Sequence, residues 1–218
     1  MTLKADFHCH TRRSPDSVTT PEQLIASCVQ RGINCLAVTD HNKVQGAFEV
    51  QRQAPFIIIV GEEIKTRDGE IIGLFLKEEI PRGLSAGRTI EAIREQGGVV
   101  YVPHSMDPVR RTRLKPAVLR EVVSMVDVLE VCNARSFNPL AVGKARHFAM
   151  RHGLLMGAGS DAHTPGEIGT THVVMPEFNG PDEFLQSLAV GQIVYGMTSP
   201  LIHAKTIGLK LRRRFGGR

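Results

Sequence analysis

Two triplets near opposite ends of the chain, His8-Cys9-His10 and Asp161-Ala162-His163, each set metal-capable side chains two residues apart. Each follows an apolar stretch of strand length, Leu3–Phe7 and Leu154–Ala158. In extended backbone, alternate side chains share a face. His8 and His10 can therefore reach one point, as can Asp161 and His163. Cys9, between two such residues, faces the other way and reads as a buried thiol. Imidazole and carboxylate together suit divalent transition metals. The chemistry on offer is a metal centre assembled from both ends of a fold.

Such a centre needs elements that bring those ends together. Apolar runs predict strands at Leu3–Phe7, Cys35–Thr39, Phe56–Val60, Val99–Val102, Val128–Val131, Leu154–Ala158 and Val173–Met175. A hairpin of Ile64–Thr66 and Ile71–Leu76 turns at Asp68-Gly69. Between them lie helices. The first is capped by Thr20, with Pro21 at its first position, Gln23 completing a capping box and Gly32 ending it. Others are predicted at Lys43–Gln53, Thr89–Gln96, Pro116–Met125, Leu140–Arg151 and Pro181–Val190, with a basic terminal helix from about Leu201. Strands separated by helices argue for an α/β fold built on parallel β-structure.

Counting Ile71–Leu76 as the fourth strand, metal-capable residues recur just past the strand ends. His8, His10 and Asp16 follow the first, Asp40 and His41 the second, Glu62 and Glu63 the third. His104 follows the fifth, Cys132 and Asn133 the sixth, Asp161 and His163 the seventh. In closed parallel barrels that rim is where loops converge and active sites form. Any one of these residues alone has a bland reading, a satisfied buried histidine or a turn cap; their common placement does not. Asp40 is expected to cap a helix, leaving His41 as the ligand. Adjacent strand residues face opposite ways, so Glu63 is preferred over Glu62, which is left as a supporting or solvent-facing residue.

The motifs His8-Cys9-His10 with Asp16, Thr39-Asp40-His41, Gly61-Glu62-Glu63, Pro103-His104-Ser105 and Gly159-Ser160-Asp161-Ala162-His163 resemble, in order, those of the PHP (polymerase and histidinol phosphatase) metal-dependent phosphoesterases. The resemblance runs from residue 6 to about 163, and the segment to about Pro200 is similar to the short C-terminal region of stand-alone members. It implies a distorted (βα)7 TIM-like barrel as a single domain over 1–200, followed by a basic tail over 201–218. It also implies two or three divalent ions, Zn, Mn or Fe, at the rim. His8, His10, Glu63 and Asp161 would hold one; Glu63, as a bridge, would share a second with His104 and Asn133; Asp16, His41 and His163 would hold a third. Asn133 stands where many members carry His, and an amide oxygen is the weaker ligand.

Clustered cations favour an anionic substrate and an activated water, so hydrolysis of phosphate mono- or diesters is the expected reaction. Arg135, Arg110 and Arg111 are candidate phosphate clamps, and Asp161 or His163 could carry the leaving-group proton. The expected partner is a small phosphorylated substrate or a nucleotide. Two alternatives stand beside this: a small nuclease or nucleotide phosphatase acting on nucleic-acid ends, and an amidohydrolase acting on bonds other than phosphate esters. The absence of large insertions between motifs points to an open cleft.

The 218 residues fit one domain. The formal charge is +5, yet six Lys/Arg and no acid lie from His203 onward, so basicity is assigned to the tail and a weak nucleic-acid contact to it. Four cysteines without paired spacing, and no apolar run of membrane length, point to a reduced, cytoplasmic protein.

Overall fold

A computed structural model describes residues 2–136 and 138–198. Nine strands and six helices alternate along them: β1 (Thr2–Asp6), α1 (Pro21–Arg31), β2 (Cys35–Val38), α2 (Gln45–Gln51), β3 (Ile57–Lys65), β4 (Glu70–Leu74), α3 (Ala86–Glu95), β5 (Val99–Val102), α4 (Pro116–Val122), β6 (Val128–Asn133), α5 (Pro139–His152), β7 (Leu155–Gly159), β8 (His172–Pro176), α6 (Gly180–Ala189) and β9 (Gln192–Val194). The strands form one sheet in the order β7-β6-β5-β4-β3-β2-β1-β8-β9.

That sheet curls into a nearly closed barrel. Thr2–Ala5 of β1 pair antiparallel with β8, but the chain beyond them turns to β7. Phe7 donates to the carbonyl of Ala158 (3.4 Å), Asp161 to that of His8 (2.8 Å) and His10 to that of Ala162 (2.9 Å). Gly159 lies in this seam, where a Cβ would meet His8 Cβ at 2.4 Å and His8 N at 2.8 Å. Only glycine permits that approach. Asp6 secures the seam further, its carboxylate accepting from Ser160 N (2.8 Å), Ser160 Oγ (2.5 Å) and Gly169 N (2.9 Å).

The expected α/β barrel is present, with two departures in its strands. Phe56–Val60 and Ile64–Thr66 are not separate strands but one, β3. Its antiparallel partner β4 also runs against β5, so the ring is not uniformly parallel. The other ring pairs described, β1–β2, β2–β3, β5–β6 and β6–β7, are parallel. The helical expectations hold in kind. Thr20 and Gln23 form the capping box of α1, and Gly32 closes it with φ +69°. α3 starts earlier than its apolar pattern, at Ala86, because Ser85 caps it. The helix expected over Pro116–Met125 tightens to a 3₁₀ turn from Val123. The helix expected from Leu201 lies outside the described residues.

The core is the barrel interior plus the helix-facing side of the sheet. Leu36, Ile59, Ile72, Tyr101 and Leu129 are among its fully buried members. No helix among the described residues is long and apolar enough to cross a membrane. The polar residues buried at one end of this barrel need a separate account.

Candidate metal centre

His8, His10, His104, Glu63, Asp161 and His163 are all at most 5% exposed and converge on the rim; Asp16 is 7% exposed and His41 half-buried beside them. Glu63 stands at the middle. Its Oε2 faces His41 Nδ1 at 2.9 Å, His10 Nε2 at 3.5 Å and His8 Nε2 at 3.6 Å, while its Oε1 faces His104 Nε2 at 3.1 Å. The two oxygens thus serve different clusters. A short parallel bridge between His41 and Glu63, extending the β2–β3 pairing, sets this register.

Asp161 divides its oxygens too. Oδ1 lies 3.7 Å from His8 Nε2 and 3.4 Å from His10 Nε2; Oδ2 accepts from Arg110 Nη2 at 2.6 Å. Around Asp16, the Nε2 atoms of His41 and His163 each lie 3.5 Å from Oδ1. Asp161 and His104 both hold left-handed backbone, φ +53° and +32°. Such strain in non-glycine residues collects at functional sites.

These separations fit ions rather than hydrogen bonds. Two ligands each about 2.1 Å from a cation at a tetrahedral angle stand about 3.4 Å apart. The four edges joining His8 and His10 to Glu63 and Asp161 span 3.4–3.7 Å. His8 Nε2 and His10 Nε2 are buried and have no hydrogen-bond partner in the protein. A buried nitrogen left so costs free energy unless something accepts its lone pair. The donor set therefore fits divalent cations.

The tautomers agree. His8 Nδ1 lies 3.0 Å from Glu130 Oε1, an acceptor, so Nδ1 carries the hydrogen and Nε2 is bare. Ser14 Oγ donates to Asp40 Oδ1 at 2.7 Å, so toward His10 Nδ1, 3.1 Å away, it can only accept. Again Nε2 is left bare. Burial, then the neighbouring His163 and His41, push the His10 pKa down to about 3. It stays neutral, as a ligand must. Burial pushes the Glu63 and Asp161 carboxyls up, but His41 and His8 around Glu63, and Arg110 and His8 around Asp161, more than offset it. Both remain ionised.

Several residues sit differently from expectation. Asp40 caps no helix; α2 begins after Val44, and the Asp40 carboxylate instead accepts from Thr11 N (2.7 Å), Thr11 Oγ1 (2.6 Å) and Ser14 Oγ. It fixes the loop that carries Asp16. Glu62 faces away from the centre as alternation requires, but it is buried, accepting from Ile80 N at 2.8 Å. Asn133 turns its amide nitrogen to Glu130 Oε2 (2.9 Å) and Asp161 Oδ2 (3.5 Å), while its oxygen accepts from Arg135 N (2.9 Å). Arg135 is buried, its Nη1 2.8 Å from His163 Nδ1 and its Nε 3.2 Å from Glu167 Oε1. The Asp161 carbonyl, also 2.8 Å from His163 Nδ1, competes with that guanidinium. The carbonyl can only accept and the arginine can only donate, and acceptance by the carbonyl is what leaves His163 Nε2 free.

Two acids at the centre escaped the sequence reading. Glu130 also receives Tyr101 Oη (3.2 Å) and His104 N (2.7 Å). Its signal was a lone acid inside the apolar run of β6. Glu70 Oε2 lies 3.7 Å from His104 Nε2, and Glu70 can join His41 and Glu63 around one ion.

An α/β barrel with imidazoles and carboxylates gathered at one rim defines a class of metal-centred barrel proteins. Within that class the chain belongs to the PHP family. It matches the PHP domain over residues 6–101 and the PHP-associated C-terminal family over residues 139–193. An uncharacterized protein of Methanocaldococcus jannaschii is 36% identical over 218 aligned positions, covering 95% of this chain and 86% of the relative. A second from that organism is 42% identical over 120 residues, 49% of this chain and 70% of the relative. A 5'-3' exoribonuclease of Haemophilus influenzae is 33% identical over 106 residues, 45% of this chain and 38% of the enzyme. Among solved structures, a two-domain Bacteroides vulgatus protein containing a predicted PHP-like metal-dependent phosphoesterase shares the fold at TM-score 0.73 and 17% identity, over 95% of this chain and 70% of that one. The lesion-specific endonuclease Q of Pyrococcus furiosus does so at TM-score 0.65 and 15% identity, over 88% and 58%.

Proposed function

We propose that this chain is a metal-dependent phosphoesterase. The observation that carries the reading is Glu63, whose two oxygens face separate imidazole groups at 2.9–3.6 Å, the arrangement of a carboxylate bridging two cations. His8, His10, Glu63 and Asp161 would hold one ion and Asp16, His41 and His163 another; Glu63 and His104 would share a further one. Zn, Mn and Fe suit this donor set. Bound there, such cations activate a water molecule and neutralise charge that builds on a phosphoryl group.

The chain's own residues supply the rest. Arg110, partly exposed and paired to Asp161, puts a permanent positive charge beside the cluster, where a phosphate oxygen can exchange for the carboxylate. Arg135 is too enclosed for that duty and instead orients His163. Glu130 and Ser14 fix the rings of His8 and His10. The reaction is hydrolysis: the ester P–O bond breaks, the oxygen of water takes its place, and the departing alkoxide leaves as an alcohol. Whether a mono- or a diester is preferred is decided by substrate.

The test is direct. Protein stripped by chelator and reloaded with Mn, Zn or Fe should hydrolyse p-nitrophenyl phosphate or bis-p-nitrophenyl phosphate, and Asp161→Ala should abolish it. Loaded protein inert toward both esters and toward nucleotides, or an active Asp161→Ala variant, sinks the reading; turnover of amides in their place would make it an amidohydrolase.

A further inference from the structure

We propose that the outer face of α5 is a docking groove for single-stranded nucleic acid, leading from the rim. The idea rests on the phosphoester reading for its purpose, though not for its evidence. α5 is inverted relative to an ordinary surface helix. Its buried residues are the small Ala141, Ala145 and Ala149, while Leu140 and Met150 stand 72% and 64% exposed. Leu140, Lys144, His147 and Arg151 recur at spacings of four, three and four, so they share one face. That face forms one wall of a groove of about 730 Å³, which Met106 and Arg120 also line; among the described residues no acid lines it.

Charge is partitioned in the same direction. Residues 104–153 carry nine Lys/Arg and four Asp/Glu, whereas residues 2–103 and 154–198 together carry twelve and eighteen. Two of those four acids, Asp107 and Glu130, are buried. Basicity is thus not confined to the tail, as the whole-chain count suggested. In the groove, Phe148 and His152 hold their rings 4.4 Å apart. Flat aromatic faces with a cationic border are how proteins hold a single strand regardless of its sequence. A second copy of the chain would bring like charges together, and an acidic peptide has no bases to stack. The path is also continuous, because Met106 lines a small cavity together with His104, Glu130 and Asn133 of the centre. At about 1.5 Å per residue, α5 carries the groove on the order of 20 Å from the rim.

The experiment is fluorescence anisotropy of the full, metal-loaded chain with a labelled oligothymidylate phosphorothioate of about fifteen nucleotides, which resists hydrolysis. Lys144→Glu with Arg151→Glu should weaken binding at least tenfold and make the salt dependence shallower by about two. Both side chains are exposed, so the fold should be undisturbed, and hydrolysis of bis-p-nitrophenyl phosphate should be unchanged. The proposal is overturned if wild type does not bind the oligomer, or if the double variant binds as wild type does. It is also overturned if binding is lost only on deleting residues 201–218, or if anionic vesicles bind in preference. Groove-dependent binding by a protein inert toward every ester would retain the groove and remove the hydrolase.

Discussion

His8 Nδ1 lies 3.0 Å from Glu130 Oε1, joining the end of the first strand to the middle of the sixth. A carboxylate behind a ligating imidazole fixes its tautomer and raises its basicity, and losing it costs roughly 10–100-fold in metal affinity. Glu130→Gln is therefore expected to bind metal in that range more weakly while keeping its fold. Competition against a chelator measures it, and unchanged affinity would show that Glu130 is only a core acid.

Glu63 is expected to matter for more than one ion. Elemental analysis of Glu63→Ala should show a loss exceeding one equivalent per chain, whereas Asp16→Ala should lose one at most. Turnover in Glu63→Ala should fall by at least about a hundredfold, as removal of preorganised charge at a reacting centre does.

Glu70 and Asn133 make opposite claims on the ion beside His104. Glu70 offers an oxygen 3.7 Å from His104 Nε2, while the oxygen of Asn133 is taken by Arg135 N. Glu70→Ala should release that ion and Asn133→Ala should retain it. The reverse result would restore the amide as ligand.

Glu62 supplies a pH test away from the ions. Burial, with Glu79 adding to it, pushes its pKa up to about 8 from an ordinary 4.5. The folded protein then holds a proton there that the unfolded chain has lost, so stability should fall as pH rises from about 4.5 to 8 and level off above. Glu62→Gln removes that slope. In urea denaturation the variant should gain on wild type by at least about 1 kcal/mol between pH 5 and pH 8; parallel curves would contradict it.

Gly159→Ala should do damage twice. A Cβ placed 2.4 Å from His8 Cβ must push the barrel seam apart. Overpacking of this kind costs about 1–3 kcal/mol, and displacement of His8 should weaken metal binding in the same variant. Thermal melts and metal titration read both effects.

Much of this centre was legible because parallel strands deliver their ligands at one end. His8, His41, His104 and Asp161 all lie just past strand ends, where the rule looks for them. Glu70 was missed for a physical reason. β4 runs against its neighbours, so it meets the rim with its first residue, and a rule that searches beyond strand ends passes it by. Glu130 was hidden because it points inward from within a strand. Asp40 was misassigned because Asp before a helical pattern usually caps it; here Thr11 and Ser14 compete for its oxygens and win. The merging of two predicted strands into β3 reflects Glu62 and Glu63, polar residues that interrupt the apolar pattern without interrupting the backbone pairing.

The joint between the chain segments around His8 and Asp161 has a consequence for biosynthesis. More than 150 residues separate its two sides, so a nascent polypeptide lacks a high-affinity ion pocket until Asp161 has left the ribosome. Metal capture should then act as a buckle on a ring already formed, and starving cells of these ions should leave an open, protease-sensitive precursor rather than a merely inactive protein.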